Sequence, residues 1–166
     1  MTAITIRGER PGDESAIRQV IIGAFESAEH RDGTEQDIVE RLRAAGTLSV
    51  LLAAEAAGEI VGHVAFSPGT AGDAAGTWYG LAPVSVKPRL QRQGIGDSLI
   101  REGLRLLTER GAAGCVVLGE PEYYCRFGFE HDPALSYPDA PAPYFQRLVI
   151  KGAPPQGVAR YHPAFG

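Results

Sequence analysis

Sulfur and imidazole are scarce in this chain. Its 166 residues include two cysteines, Cys115 and Cys125, and four histidines. Neither cysteine lies in a C-x-x-C pair, and His30, His63, His131 and His162 are scattered, so no metal-ligand pattern appears. Two thiols make no disulfide framework, and reduced cysteines are expected, as in a cytosolic protein. Long apolar runs are also missing. No stretch approaches the ~20 residues of a membrane span. The opening MTAITIRGERPGDES lacks the apolar centre of a signal peptide. These absences lead to the expectation of a cytoplasmic protein. Positive charge is in deficit, with 16 Lys and Arg against 20 Asp and Glu and a net charge of −4. That balance argues against wholesale binding of nucleic acid or of an anionic membrane.

What is present suits a single domain, residues 1–166, with 44% hydrophobic and 22% charged residues. A chain of this size can bury about 70% of its unfolded surface and needs no covalent staple. TAITIR (2–7) alternates like a strand, and Ile17, Val20, Ile21, Ala24 and Phe25 give 13–26 a helical stripe. Thr34 with Asp37 resembles a capping box for a second helix that Gly46 ends. LSVLLAAEA (48–56) and EIVGHVAF (59–66) read as a hairpin around Ala57 and Gly58. SPGTAGDAAG (67–76) reads as a loop, and TWYGLAPVSV (77–86) as a strand in which Pro83 marks a bulge or an edge. A helix is predicted over 94–110, a buried strand over 113–119, a short helix after Pro121 and a last strand over 144–151. The tail after residue 151 shows no periodicity. The sum is a mixed α/β domain with one central sheet.

The glycine-bearing turn RLQRQGIGD (89–97) stands where a strand hands over to a helix. A helix N-terminus offers unpaired N–H groups and a partial positive charge, which suits a phosphate. Glycine lets an anion approach the backbone closely. From Ala74 through Gly96 there is no Asp or Glu, while Lys87, Arg89 and Arg92 are present. In an acidic chain this bias favours an anionic ligand, against the plainer reading of a glycine turn with solvated cations. The dinucleotide fingerprint fails because Leu99 stands where a third small residue belongs. The mononucleotide P-loop fails because Leu99 and Ile100 replace its Gly and Lys.

VSVKPRLQRQGIGDSLI resembles the signature of the GNAT superfamily of N-acetyltransferases, whose core [Q/R]xxGx[G/A] is met by Gln91, Gly94 and Gly96. YYCRFGF is similar to a second segment of that family, and VLGEPEYYCRFGF with the closing YHPAF resembles its YhbS-type subgroup. The resemblance implies the GNAT acyl-CoA N-acyltransferase fold, an α/β (α+β) domain whose mixed, mostly antiparallel sheet is splayed in a V and flanked by helices. It implies acetyl-CoA as cosubstrate and no metal. The pyrophosphate would lie on the amides of Arg92, Gln93, Gly94, Ile95, Gly96 and Asp97, with Gln91 in the motif. The pantetheine arm would pair with Val84, Ser85 and Val86.

Acetylating an amine also requires a donor to the leaving thiolate and a base. The resemblance points to Tyr124 as the donor, with Tyr123 as its rival. A backbone amide near Val84 would polarise the thioester carbonyl. Base candidates are His63, whose ordinary pKa suits the task, and Glu120, after the strand 113–119. Each also has a plainer role, as a hydrogen-bonded strand histidine and as a helix cap. Cys115 and Cys125 read as packing thiols. The expected activity is direct transfer from acetyl-CoA to a primary amine in a ternary complex. The alternatives are an acyl-CoA-binding sensor of the same fold and, less compatible with the net charge, an aminoacyl-tRNA-modifying toxin. A small-molecule or peptide amine is the expected partner, with neither nucleic acid nor membrane, and a homodimer is open because dimers are common among similar proteins.

Overall fold

The computed structural model describes residues 3–26, 33–46 and 49–165. Among them, eight strands form in the order β1 (Ile4–Gly8), β2 (Val50–Ala56), β3 (Glu59–Ala71), β4 (Trp78–Val86), β5 (Gly114–Leu118), β6 (Leu135–Ser136), β7 (Phe145–Val149) and β8 (Gly157–Arg160). Four α-helices accompany them: α1 (Glu14–Phe25), α2 (Glu35–Ala45), α3 (Ile95–Glu109) and α4 (Pro121–Tyr124). The hydrogen-bonded order is β1-β2-β3-β4-β5-β7, with β8 on β3 and β6 on β8. The pairs β1–β2, β2–β3, β3–β8 and β5–β7 are antiparallel, whereas β4–β5 and β6–β8 are parallel. This is the mixed, mostly antiparallel sheet that the sequence led us to expect.

The chain forms two compact units, Met1–Phe66 with Pro83–Leu104, and Ser67–Ala82 with Arg105–Gly166. In the first, the helical stripes bury Ile17, Val20 and Ile21 of α1 and Ile38, Val39 and Leu42 of α2. These join Val50, Leu52, Val61 and Val64 in the core, each large side chain contributing roughly 1.5–3 kcal/mol on burial. The expected hairpin forms, and its turn residues Ala57 and Gly58 both have positive φ, at 52° and 79°, as a type I′ turn requires. Gly46 closes α2 in the left-handed conformation and donates to Leu42 O at 3.2 Å. The expected capping box does not form. Thr34 makes no side-chain cap bond, and the Glu35 carboxylate instead accepts from the Thr34 N–H at 2.9 Å.

The second unit packs Ala71, Trp78, Ala113, Val116, Leu135, Phe145 and Ala159 together. Two expectations need correction here. The stretch 67–76 is not all loop, because β3 runs on to Ala71 and pairs with β8 at Thr70↔Arg160 and Ala71↔Ala159. Gly69 marks close strand approach and not a turn: a Cβ there would stand 2.4 Å from Arg160 O. The tail, in turn, is not structureless, since its Gly157–Arg160 is the strand that covers this edge.

Candidate functional site

In the first unit, β4 leads directly into the glycine turn. Pro83 and Ser85 are buried while Val84 and Val86 are partly exposed. The Ser85 hydroxyl is buried with no hydrogen-bond partner. Lys87 N donates to Val61 O at 2.9 Å, holding the strand end on β3. A 3-10 turn follows over Pro88–Leu90, and the Gln91 carboxamide reaches back to Val86 O at 3.1 Å. Arg92 and Gly94 are both left-handed, with φ of 64° and 87°. Interspersed left-handed residues are what turn successive N–H groups toward one side of a loop. The first α3 bond runs from Ser98 N to Gly94 O at 3.0 Å, so the amides of Ile95 and Gly96 have no intrahelical acceptor. Ile95, Leu99 and Ile100 are buried, which fixes the axis on which those amides point. A Cβ added to Gly94 would meet nothing within 4 Å beyond its chain neighbours, so that side of the turn is uncrowded.

The cations ahead of the turn divide. Lys87 and Arg89 both pair with Glu59 of β3, Arg89 at 3.5 Å. Part of the local positive bias thus neutralises a carboxylate of the fold itself. Arg92 and Gln93 are exposed, and Arg92 makes no ion pair with the described residues. Sequence reasoning could not foresee this, because Glu59 lies 28 residues before Lys87.

His63, on β3, is fully buried. Its Nε2 lies 3.0 Å from Glu9 Oε1, and Arg43 grips the same carboxylate from Nε and Nη2 at 2.7 and 2.8 Å. Burial alone would raise the Glu9 pKa, but the hydrogen bonds from Arg43 and His63 outweigh it and hold the group at about 2. His63 Nδ1 is buried without a partner. Neither Glu9 nor Arg43 stood out in the sequence, since they lie 34 residues apart and in no motif.

In the second unit, β4 and β5 pair in parallel from Trp78↔Gly114 to Leu81↔Val117, and the register ends there, two residues before Pro83. Just beyond β5, Glu120 O accepts the N–H groups of Tyr123 and Tyr124, each at 3.1 Å. This puts Glu120 and Tyr124 one helical turn apart. Glu120 is exposed and stands at the N-cap position of α4, as considered for it, but it caps through its backbone carbonyl and its side chain makes no cap bond. The Tyr123 and Tyr124 rings are 82° apart in plane. Tyr124 packs toward Gly119 and Phe129. Burial, with the nearby Cys115, pushes its pKa up to about 12. Tyr123 instead carries the Arg126 guanidinium over its ring at 4.5 Å. Cys115 is buried in β5, as expected, whereas Cys125 is exposed with its Sγ donating to Glu122 O at 3.3 Å. Among the described residues, no group of three His, Cys, Asp or Glu could hold a metal ion, and no helix is long and apolar enough to cross a membrane.

Residues 15–129 match the model of the Acetyltransferase (GNAT) family. The chain is 35% identical to "Uncharacterized N-acetyltransferase YhbS" of Escherichia coli K12, across 96% of this chain and 97% of that one. Its fold is similar to a GNAT family acetyltransferase from Brucella melitensis in complex with acetyl-CoA, with a TM-score of 0.86, 47% identity and 99% of each chain covered. It is also similar to Escherichia coli YhbS in complex with CoA, with a TM-score of 0.83, 31% identity, and 99% and 93% of the two chains covered.

Proposed function

Because the chain belongs to the GNAT acetyltransferase family, we propose that it transfers the acetyl group of acetyl-CoA directly to a primary amine in a ternary complex. The observation that carries this reading is the turn ahead of α3. Two left-handed residues, Arg92 and Gly94, precede helix amides that have no intrahelical acceptor, and nothing crowds the Cα of Gly94. A diphosphate suits such a turn, because it brings negative charge to the positive end of a helix and acceptors to its N–H groups. In this reading the amides of Arg92 to Asp97 hold the pyrophosphate. Gln91 braces the turn, and Val84, Ser85 and Val86 offer strand-like backbone to the pantetheine arm. The similarity to a Brucella melitensis relative in complex with acetyl-CoA supports the choice of donor.

The reaction asks two proton movements of the chain. The leaving sulfur needs a donor, and Tyr124 keeps its proton across the working pH range because burial pushes its pKa to about 12. The amine must lose a proton, and we assign this to Glu120, acting directly or through water. Its carboxylate is exposed, makes no cap bond and sits one turn from Tyr124. We place His63 second, because its Nε2 is already engaged by Glu9 inside the core. The test is thiol release from acetyl-CoA over a panel of polyamine, amino acid, aminoglycoside, peptide N-terminus and lysine acceptors, with mass spectrometry of the products. Amine-dependent release with one added acetyl group supports the reading. Tight acetyl-CoA binding with no amine-dependent release would favour a sensor.

A further inference from the structure

The closing YHPAF segment plays no part in the chemistry above, yet its tyrosine packs on β4 just before the β4–β5 register ends. β8 is anchored to the end of β3 through Thr70↔Arg160 and Ala71↔Ala159, and the next residue, Tyr161, reaches β4. Its ring lies against Gly80, where an added Cβ would stand 2.5 Å from both Cδ1 and Cε1. Only glycine leaves room for the ring there. Tyr137 and Phe165 hold the ring from other sides, with centroids 5.4 and 5.0 Å away. Gly80 is one residue before Leu81, where the β4–β5 register ends. The ring also lines an open cavity of 540 Å³ together with Tyr137, Asp139 and His162.

The hydroxyl tells a different story from the ring. It is sealed from solvent and has no hydrogen-bond partner. A buried polar atom without a partner is costly and uncommon, and its natural complement is a group that arrives with a ligand. Burial, then Cys115, Tyr137 and Tyr124, all disfavour its ionisation. The phenol therefore keeps its proton and stands within electrostatic reach of the Tyr124 hydroxyl.

We propose that Tyr161 is a second donor phenol of the transfer site, whose O–H hydrogen-bonds the carbonyl oxygen of the acetyl group being transferred. This rests on the acetyl-CoA reading. The amine nitrogen forms a bond to the acetyl carbon, and the carbon–sulfur bond breaks with its electron pair going to sulfur. The sulfur takes a proton from Tyr124, the amine gives one up to Glu120 or water, and a proton returns through water to the Tyr124 phenolate, which restores the phenol. Tyr161 keeps its own proton throughout. It stabilises the charge that grows on the carbonyl oxygen and recedes as sulfur leaves. Tyr124 serves the sulfur, and Tyr161 serves the oxygen one carbon away.

Tyr161→Phe deletes one oxygen and keeps the ring against Gly80. Calorimetric titration of wild type and variant with acetyl-CoA and, separately, with CoA isolates the acetyl group. The affinity for acetyl-CoA should fall about 3- to 10-fold while that for CoA is unchanged. Amine-dependent kcat should fall on the order of 10²-fold. Equal losses for both ligands would make Tyr161 structural and overturn the proposal, as would no change in either affinity, whatever kcat does. Wild-type protein that binds neither ligand would instead overturn the acetyl-CoA reading itself, and this assignment with it.

Discussion

The Gln91 side chain donates from Nε2 to the backbone carbonyl of Val86 at 3.1 Å. A residue of the glycine turn thereby ties that turn to the end of the strand that precedes it. The bond is exposed, so its net worth is about 1 kcal/mol. We expect Gln91→Ala to weaken CoA binding roughly 5-fold, as that energy implies, with little change in melting temperature. Calorimetry and thermal denaturation read the two effects. Lost stability with unchanged CoA affinity would show that the bond serves the fold alone.

Gly94 tests conformation separately from space. Its φ is 87°, and beyond its own chain neighbours no heavy atom lies within 4 Å of the place a Cβ would take. Any cost of a side chain is therefore backbone strain, about 1–2 kcal/mol for Ala. Asn, which tolerates the left-handed region, should cost less. Urea denaturation of Gly94→Ala and Gly94→Asn decides this, and equal losses would point to a steric cause that the structure does not contain.

Glu9 gives the stability a pH signature. Desolvation opposes its charge, yet the hydrogen bonds from Arg43 and His63 win and lower its pKa from 4.5 to about 2. A carboxylate with a depressed folded-state pKa stabilises the fold fully above its unfolded value and loses that contribution as pH falls through the folded one. Stability should therefore decline between about pH 4.5 and pH 2. Glu9→Gln should flatten that decline and destabilise the protein near neutrality, since it leaves Arg43 without its charge partner. A variant with the wild-type slope would remove the role given to this cluster.

The sequence made local patterns legible and left long-range ones dark. The stripe Ile17, Val20, Ile21 identified α1, and the apolar run 113–119 identified β5, because each pattern is complete within one element. The glycine turn was legible for the same reason. Its positive-φ Gly94 follows from chemistry, but the left-handed Arg92 does not, since arginine carries no signal for that conformation. The extension of β3 past Phe66 was hidden because Pro68, Gly69 and Gly72 imitate a loop. Their purpose appears only beside Gln156 and Arg160, whose carbonyls approach Gly72 and Gly69. The pairing of Lys87 and Arg89 with Glu59 was hidden in the same way, as was the place of Tyr161 against Gly80. Each depends on which strands become neighbours.

Tyr124 makes a kinetic prediction. With its pKa at about 12 through burial and the proximity of Cys115, the phenol remains a donor throughout the range in which the enzyme would be assayed. Tyr124→Phe should lower kcat on the order of 10²-fold without creating a new break in the pH–rate profile below about pH 10. Turnover equal to wild type at every pH would end the assignment.

The turn itself can be probed by cutting the donor molecule in two. Acetyl-CoA and acetyl-pantetheine share the acetyl group, the sulfur and the pantetheine arm, but only the first brings the pyrophosphate and nucleotide. Paired calorimetric titrations should show acetyl-CoA binding tighter on the order of 10²-fold or more, as several N–H bonds to a charged group imply. The gap should narrow in Gly94→Ala. Equal affinities for the two compounds would contradict the assignment of the Arg92–Asp97 amides to a phosphate.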